Sequence, residues 1–97
     1  MIMNKIWQRV GDERVVKRHV GGETVLVPYH ANIADMSKLY FLDEVSEFIW
    51  DRLETPVDIA GLAAAVVDEF DVDYDTAQSD IERFVNELQA AGLCDIE

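Results

Sequence analysis

The chain has 97 residues, of which 49% are hydrophobic, one cysteine, and a formal net charge of −12. That length suits one domain with one modest core, and the lone Cys94 excludes an intrachain disulfide and points to a reducing compartment. No apolar run approaches the ~18 residues needed to span a membrane, and Met1 to Lys5 lack the long apolar stretch of a signal peptide, so a cytoplasmic location is expected.

Ile6 to Val10 alternates apolar and polar residues, as a half-buried strand does. Gly11, Asp12 and Glu13 supply a turn. Val15 to Val20 is rich in β-branched residues and reads as a second strand. Gly21-Gly22 follows, a two-residue signal for a primed hairpin turn, because glycine tolerates positive φ at both positions. Thr24 to Pro28 is then a third strand, with Pro28 ending it or placing it at an edge. The connection from Tyr29 to Lys38 has no regular pattern.

The helices are announced by their caps. The first is expected from about Glu44 to Leu53 behind Asp43, with Val45, Phe48, Ile49 and Leu53 on one face and Thr55-Pro56 as the breaker. The second, over about 59–70, follows Asp58 and carries Ile59, Leu62, Val66 and Phe70 as its stripe. The third, over about 74–91, follows Asp73 or Asp75, and Asp75 to Gln78 fits a capping-box variant. Its stripe is Ala77, Ile81, Phe84, Val85 and Leu88, and Gly92 suits a left-handed position after its end. The order is βββααα, an α+β arrangement with a three-stranded antiparallel sheet followed by three helices, spanning residues 1–97 as one domain.

The charge is unevenly spread. Residues 1–30 carry five cations against three carboxylates, net +2, and the remaining residues are net −14. This predicts a mildly basic strand face and a strongly acidic helical face. No nucleophile–base pair is visible, and His19, His30 and Cys94 do not make a metal set, so no catalytic residue, metal or cofactor is expected. Cys94 beside Asp95 is not expected to be an activated thiolate. Trp7 and Trp50 read as core or rim aromatics. Gly21-Gly22 is not a phosphate loop, since no helix opening with Lys-Ser/Thr follows it.

The strands from about Ile6, then Tyr40-Phe-Leu-Asp-Glu-Val-Ser-Glu-Phe-Ile-Trp50, a second helix opening at Asp58, and Asp80-Ile81 with Phe84-Val85, Leu88 and Gly92-Leu93 form an ordered set over about ninety residues, to Leu93. The set resembles the PqqD-like family, the precursor-peptide recognition elements of ribosomally made, modified peptides. The resemblance implies a winged helix-turn-helix-like fold without chemistry of its own. It implies that the chain binds the leader segment of a precursor peptide and presents the peptide to a modifying enzyme, often a radical SAM protein. It places the leader beside the third strand and against the third helix. On that basis Thr24, Val25, Leu26, Val27 and Pro28 would pair with the leader, and Asp80, Arg83, Phe84 and Glu87 would line the groove.

An exposed strand edge can satisfy the main chain of an extended peptide by β-augmentation, which supports this reading independently. Arg83 has two readings, an i,i+4 pair with Glu87 or a receptor for a leader carboxylate. The basic strand region suits an acidic leader; the acidic helices suit a basic patch on an enzyme. Two other functions compete. One is an interaction subunit that docks on an enzyme through its acidic helices. The other is a winged-helix DNA-binding regulator, which the three acids and no base of residues 58–70 and the four acids and one base of residues 74–91 oppose. The chain is expected to be a monomer or an edge-paired homodimer.

Overall fold

The structure, a computed structural model, describes residues 5–28 and 40–96. In chain order its elements are β1 (Trp7–Arg9), β2 (Val15–Val20), β3 (Glu23–Pro28), β4 (Tyr40–Leu42), α1 (Glu44–Arg52), α2 (Ile59–Glu69), α3 (Tyr74–Ala90) and β5 (Cys94–Ile96). The class is the expected one, α+β with a three-stranded antiparallel sheet and three helices, winged-helix-like in layout.

The membership of the sheet differs from expectation. Its order is β2-β3-β4, so the strand at Trp7–Arg9 is not part of it. β1 instead pairs antiparallel with β5, Trp7 opposite Ile96 and Arg9 opposite Cys94. Its backbone also bonds to Val57, Leu53 and, through Val10, Leu93, so β1 ties together the ends of α1 and α3 and the link before α2. Alternation identifies a strand but not its partner; pairing is decided by where the rest of the chain leaves a complementary edge.

The hairpin between β2 and β3 turns at Gly21 and Gly22, whose φ angles are 60° and 83°. Both lie in the region that an L side chain enters only with strain, which is why the two glycines set the register Val20 opposite Glu23. β3 ends at Pro28, and β4 pairs back along Thr24, Val25 and Leu26.

Each helix opens on an aspartate. Asp43 accepts the Ser46 N–H at 2.8 Å, and Asp58 accepts the Gly61 N–H at 2.7 Å. Asp73 accepts the Thr76 N–H at 3.2 Å and its hydroxyl at 2.6 Å. Of the two alternatives for α3, Asp73 is therefore the cap, and Asp75 sits in the first turn rather than opening a capping box. α3 ends in a Schellman motif. Gly92 has a φ of 78°, Leu93 donates its N–H to the Leu88 carbonyl at 2.8 Å, and Gly92 donates to Gln89 at 3.0 Å. This reversal packs Leu93 into the core and aims the chain at β1.

The core is one cluster beneath the sheet. Leu26, Leu53, Leu62, Ile81 and Leu88 are its largest fully buried side chains, each contributing about 1.5–3 kcal/mol by burial. The helical stripes reach it at Ile49, Leu62, Val66, Ala77, Ile81, Val85 and Leu88. Val45, Phe48, Ile59, Phe70 and Phe84, on the same stripes, are only partly buried, and three of these five open onto the cleft described next.

Candidate functional site: an apolar cleft beside a sheet edge

The aspartate caps and the α2–α3 link arrange three helices around a cleft of about 520 Å³. Asp43, Val45, Ser46 and Ile49 come from the start of α1, Val66 from α2, Phe70, Asp71 and Val72 from the link, and Ala77 to Glu87 from one face of α3. The floor is apolar, and Phe70 is fixed in it by an edge-to-face contact with Phe48 at 5.3 Å between ring centres. The rim is charged: Asp43, Asp71, Asp80 and Glu87 against the single cation Arg83. A second, shallower hollow of about 580 Å³ adjoins it, sharing Asp43 and Ser46 and adding Glu23, Thr24, Phe41 and Glu44.

β4 lines the second hollow through Phe41 and Leu42 and runs into Asp43, which lines both. It ends the sheet order β2-β3-β4, so its outer edge has no strand partner among the described residues. Phe41 is 66% exposed there.

The nine residues expected to meet a peptide are divided by this geometry. Asp80, Arg83, Phe84 and Glu87 all line the cleft. Thr24, Val25 and Leu26 do not form an open edge, because β3 is the central strand and pairs through them with both β2 and β4. Leu26 is fully buried in the core, and Thr24 is buried with its hydroxyl donating to Glu47 at 3.1 Å. Val27 and Pro28 pair with Val16 and Val15. The edge role falls to β4, a strand not expected from the sequence. Tyr40 and Phe41 are strong strand formers, the one signal in the sequence, but a three-residue run has too little alternation to read. Arg83 pairs not with Glu87 but with Asp80, at 3.1 Å.

A polar cluster docks the sheet on α1 and so holds the β4–α1 corner. Lys17 donates to Glu47 at 2.8 Å and to Asp51 at 2.9 Å, and His19 Nδ1 lies 3.0 Å from the Thr24 hydroxyl. The hydrogen bond from Lys17 holds the Glu47 carboxyl below its ordinary 4.5, partial burial opposing and Thr24 assisting. Burial works against the Lys17 charge, but the bonds to Glu47 and Asp51 outweigh it and raise its pKa above 10.5. Glu47 therefore stabilises the fold fully above pH 4.5, and the contribution is lost as pH falls through its lower folded value; that of Lys17 is present below pH 10.5 and lost above its raised one. The urea midpoint should fall as the solution is acidified below pH 4.5. Glu47→Gln should lower it at pH 7 by the equivalent of about 1 kcal/mol or less and flatten that fall. A variant that tracks the parent over the whole range would remove Glu47 from the account.

Burial pushes the Cys94 thiol up to about 11, with the Asp95 carboxylate adding to it. The direction is the expected one, although burial rather than neighbouring charge is the main cause. No group of three His, Cys, Asp or Glu suited to a metal occurs among the described residues, and His30 lies outside them. No helix among those residues is long and apolar enough to cross a membrane.

No curated protein matches the chain. Among solved structures, TbiB1 in complex with the TbiA(beta) leader peptide is similar at a TM-score of 0.68 and 26% identity, over 91% of this chain and 95% of its own. The family model for coenzyme PQQ synthesis protein D (PqqD) matches residues 23–93, from β3 through α3 to the Leu93 that closes its Schellman turn. With well over half its length matched, this chain belongs to the PqqD family.

Proposed function

We propose that the chain is a recognition element that binds the leader segment of a ribosomally made precursor peptide and presents the peptide to a modifying enzyme of the radical SAM class, without catalysing a reaction itself. The leader adds as a strand along β4 and sends side chains into the cleft between α1 and α3. The observation that carries this is the β4 edge, without a strand partner among the described residues, beside a hollow that adjoins a cleft with an apolar floor of peptide-binding size, in a chain similar to a protein solved with its leader peptide. Main-chain pairing supplies affinity; the floor residues choose side chains. A leader that is disordered when free loses ordering entropy on binding, which keeps the complex reversible. The DNA-binding alternative has little support, because Arg83, the one cation of α3, is already paired with Asp80.

The test is an amide-shift NMR titration with the leader half of the small peptide encoded nearest the gene. Shifts concentrated in Tyr40 to Leu42 and Asp80 to Glu87 are expected. Shifts confined to β2, or none at high peptide concentration, would reject this mode for that precursor.

A further inference from the structure

We infer that the cleft selects a peptide carrying lysine or arginine beside its apolar anchor residues and discriminates against an acidic one. This rests on the peptide-binding reading above and adds the chemistry of the ligand to it.

The floor accounts for the apolar half of that specification. Phe70 and Phe84 give it two aromatic faces, and aliphatic side chains that include Val45, Val72 and Ile81 complete it. An apolar floor alone would accept any hydrophobic strand. The rim is what discriminates. Four carboxylates and one guanidinium line the cleft, and the guanidinium is bound to Asp80. Asp43 caps α1. Asp71 and Glu87 have no ion-pair partner among the described residues. The adjoining hollow adds Glu23, Glu44 and Glu47, the last paired with Lys17, and has no lysine or arginine in its lining. α2 ends at Phe70, on the cleft wall, with no basic residue in its last turn, so its carbonyl end adds negative potential there.

The cations of the strand region do not offset this. None of them lines either hollow. Lys17 is held by Glu47 and Asp51, and Arg9 pairs with Asp12 at 3.2 Å and lies over the Trp50 ring. The overall charge split therefore misleads: the positive charge belongs to the part of the chain that the cleft does not touch. A peptide carboxylate placed here would meet like charge within a Debye length of about 8–10 Å, whereas an ammonium or guanidinium reaching the rim would be drawn to Asp71 and Glu87 while its neighbours fill the floor.

The experiment is a selection of random 12-residue peptides displayed against the immobilised chain, followed by fluorescence-anisotropy titration of the most enriched peptide. Enrichment of Lys or Arg next to large apolar residues, with depletion of Asp and Glu, is expected. The affinity of that peptide should fall about three- to tenfold on Asp71→Asn/Glu87→Gln, two exposed and isosteric changes. It should not change on Asp75→Asn/Glu82→Gln, which removes the same charge from α3 outside the cleft. Enriched peptides without a basic bias would overturn the charge selectivity and leave peptide binding standing. So would a basic peptide equally weakened by both double variants, since the attraction would then belong to the whole acidic surface. A selection that enriches nothing over a blank surface would overturn both.

Discussion

Leu88→Ala is expected to lower the free energy of unfolding by about 2–5 kcal/mol, a large loss against the about 5–15 kcal/mol typical of such a chain. Leu88 is 0% exposed and lies in the last turn of α3, where α3, Leu93 and the β1–β5 ribbon meet. Its own carbonyl accepts the N–H that closes the Schellman turn. Truncation leaves that backbone bond in place but removes the side chain against which the reversed chain packs, so a cavity forms at the joint rather than at a site that can collapse. Leu88→Met, which nearly conserves volume, should cost less than about 1.5 kcal/mol. Urea denaturation of the two variants against the parent measures both. Equal costs for Ala and Met would mean that packing at this joint contributes little, and that the ribbon is held by its hydrogen bonds alone.

Phe84→Ala should weaken leader binding by at least about tenfold, equivalent to about 1.4 kcal/mol, while leaving a folded protein. Phe84 is on the core-facing stripe of α3 by spacing, yet it is only partly buried and lines the cleft. Truncation therefore removes an aromatic face from the floor at less stability cost than the about 3–5 kcal/mol of a fully buried phenylalanine. Val20→Ala is the matching control. Val20 is 62% exposed at the hairpin end of β2, away from the lining of the cleft, and its loss should leave affinity unchanged. Anisotropy titration of a labelled leader peptide decides between them, with circular dichroism confirming the fold. A folded Phe84→Ala protein that binds as tightly as the parent would move the anchor pocket elsewhere.

The β4 edge and the cleft also explain why part of the site was visible in the residues and part was not. The α3 residues Asp80, Arg83, Phe84 and Glu87 follow one another at helical spacing, so identifying the helix places them on one face, whatever it packs against. Arg83 had two possible acidic partners on that face, Asp80 and Glu87, and the choice of Asp80 depends on side-chain rotamers that spacing does not specify. The opposite wall of the cleft is harder to see. Val45 and Ile49, Val66, and Phe70 and Val72 come from three different segments, and their meeting is a property of how α1 and α2 pack.

Local structure is written in the order of the residues. Three aspartates followed by apolar residues at helical intervals specify three helix starts, because each carboxylate satisfies N–H groups within its own turn. Gly21-Gly22 specifies the hairpin, and Gly92 the reversal after α3, because only glycine enters those backbone angles without strain. Tertiary structure alone decided which strands lie side by side. Trp7–Arg9 reads as a strand but joins the distant Cys94–Ile96 rather than the neighbouring hairpin. Thr24 to Leu26 reads as an edge but becomes the centre once Tyr40–Leu42 folds back on it. A strand's hydrogen-bonding groups are satisfied by another segment of chain, not by its own turn, so its place at the centre or the edge of the sheet is settled only when the partner arrives.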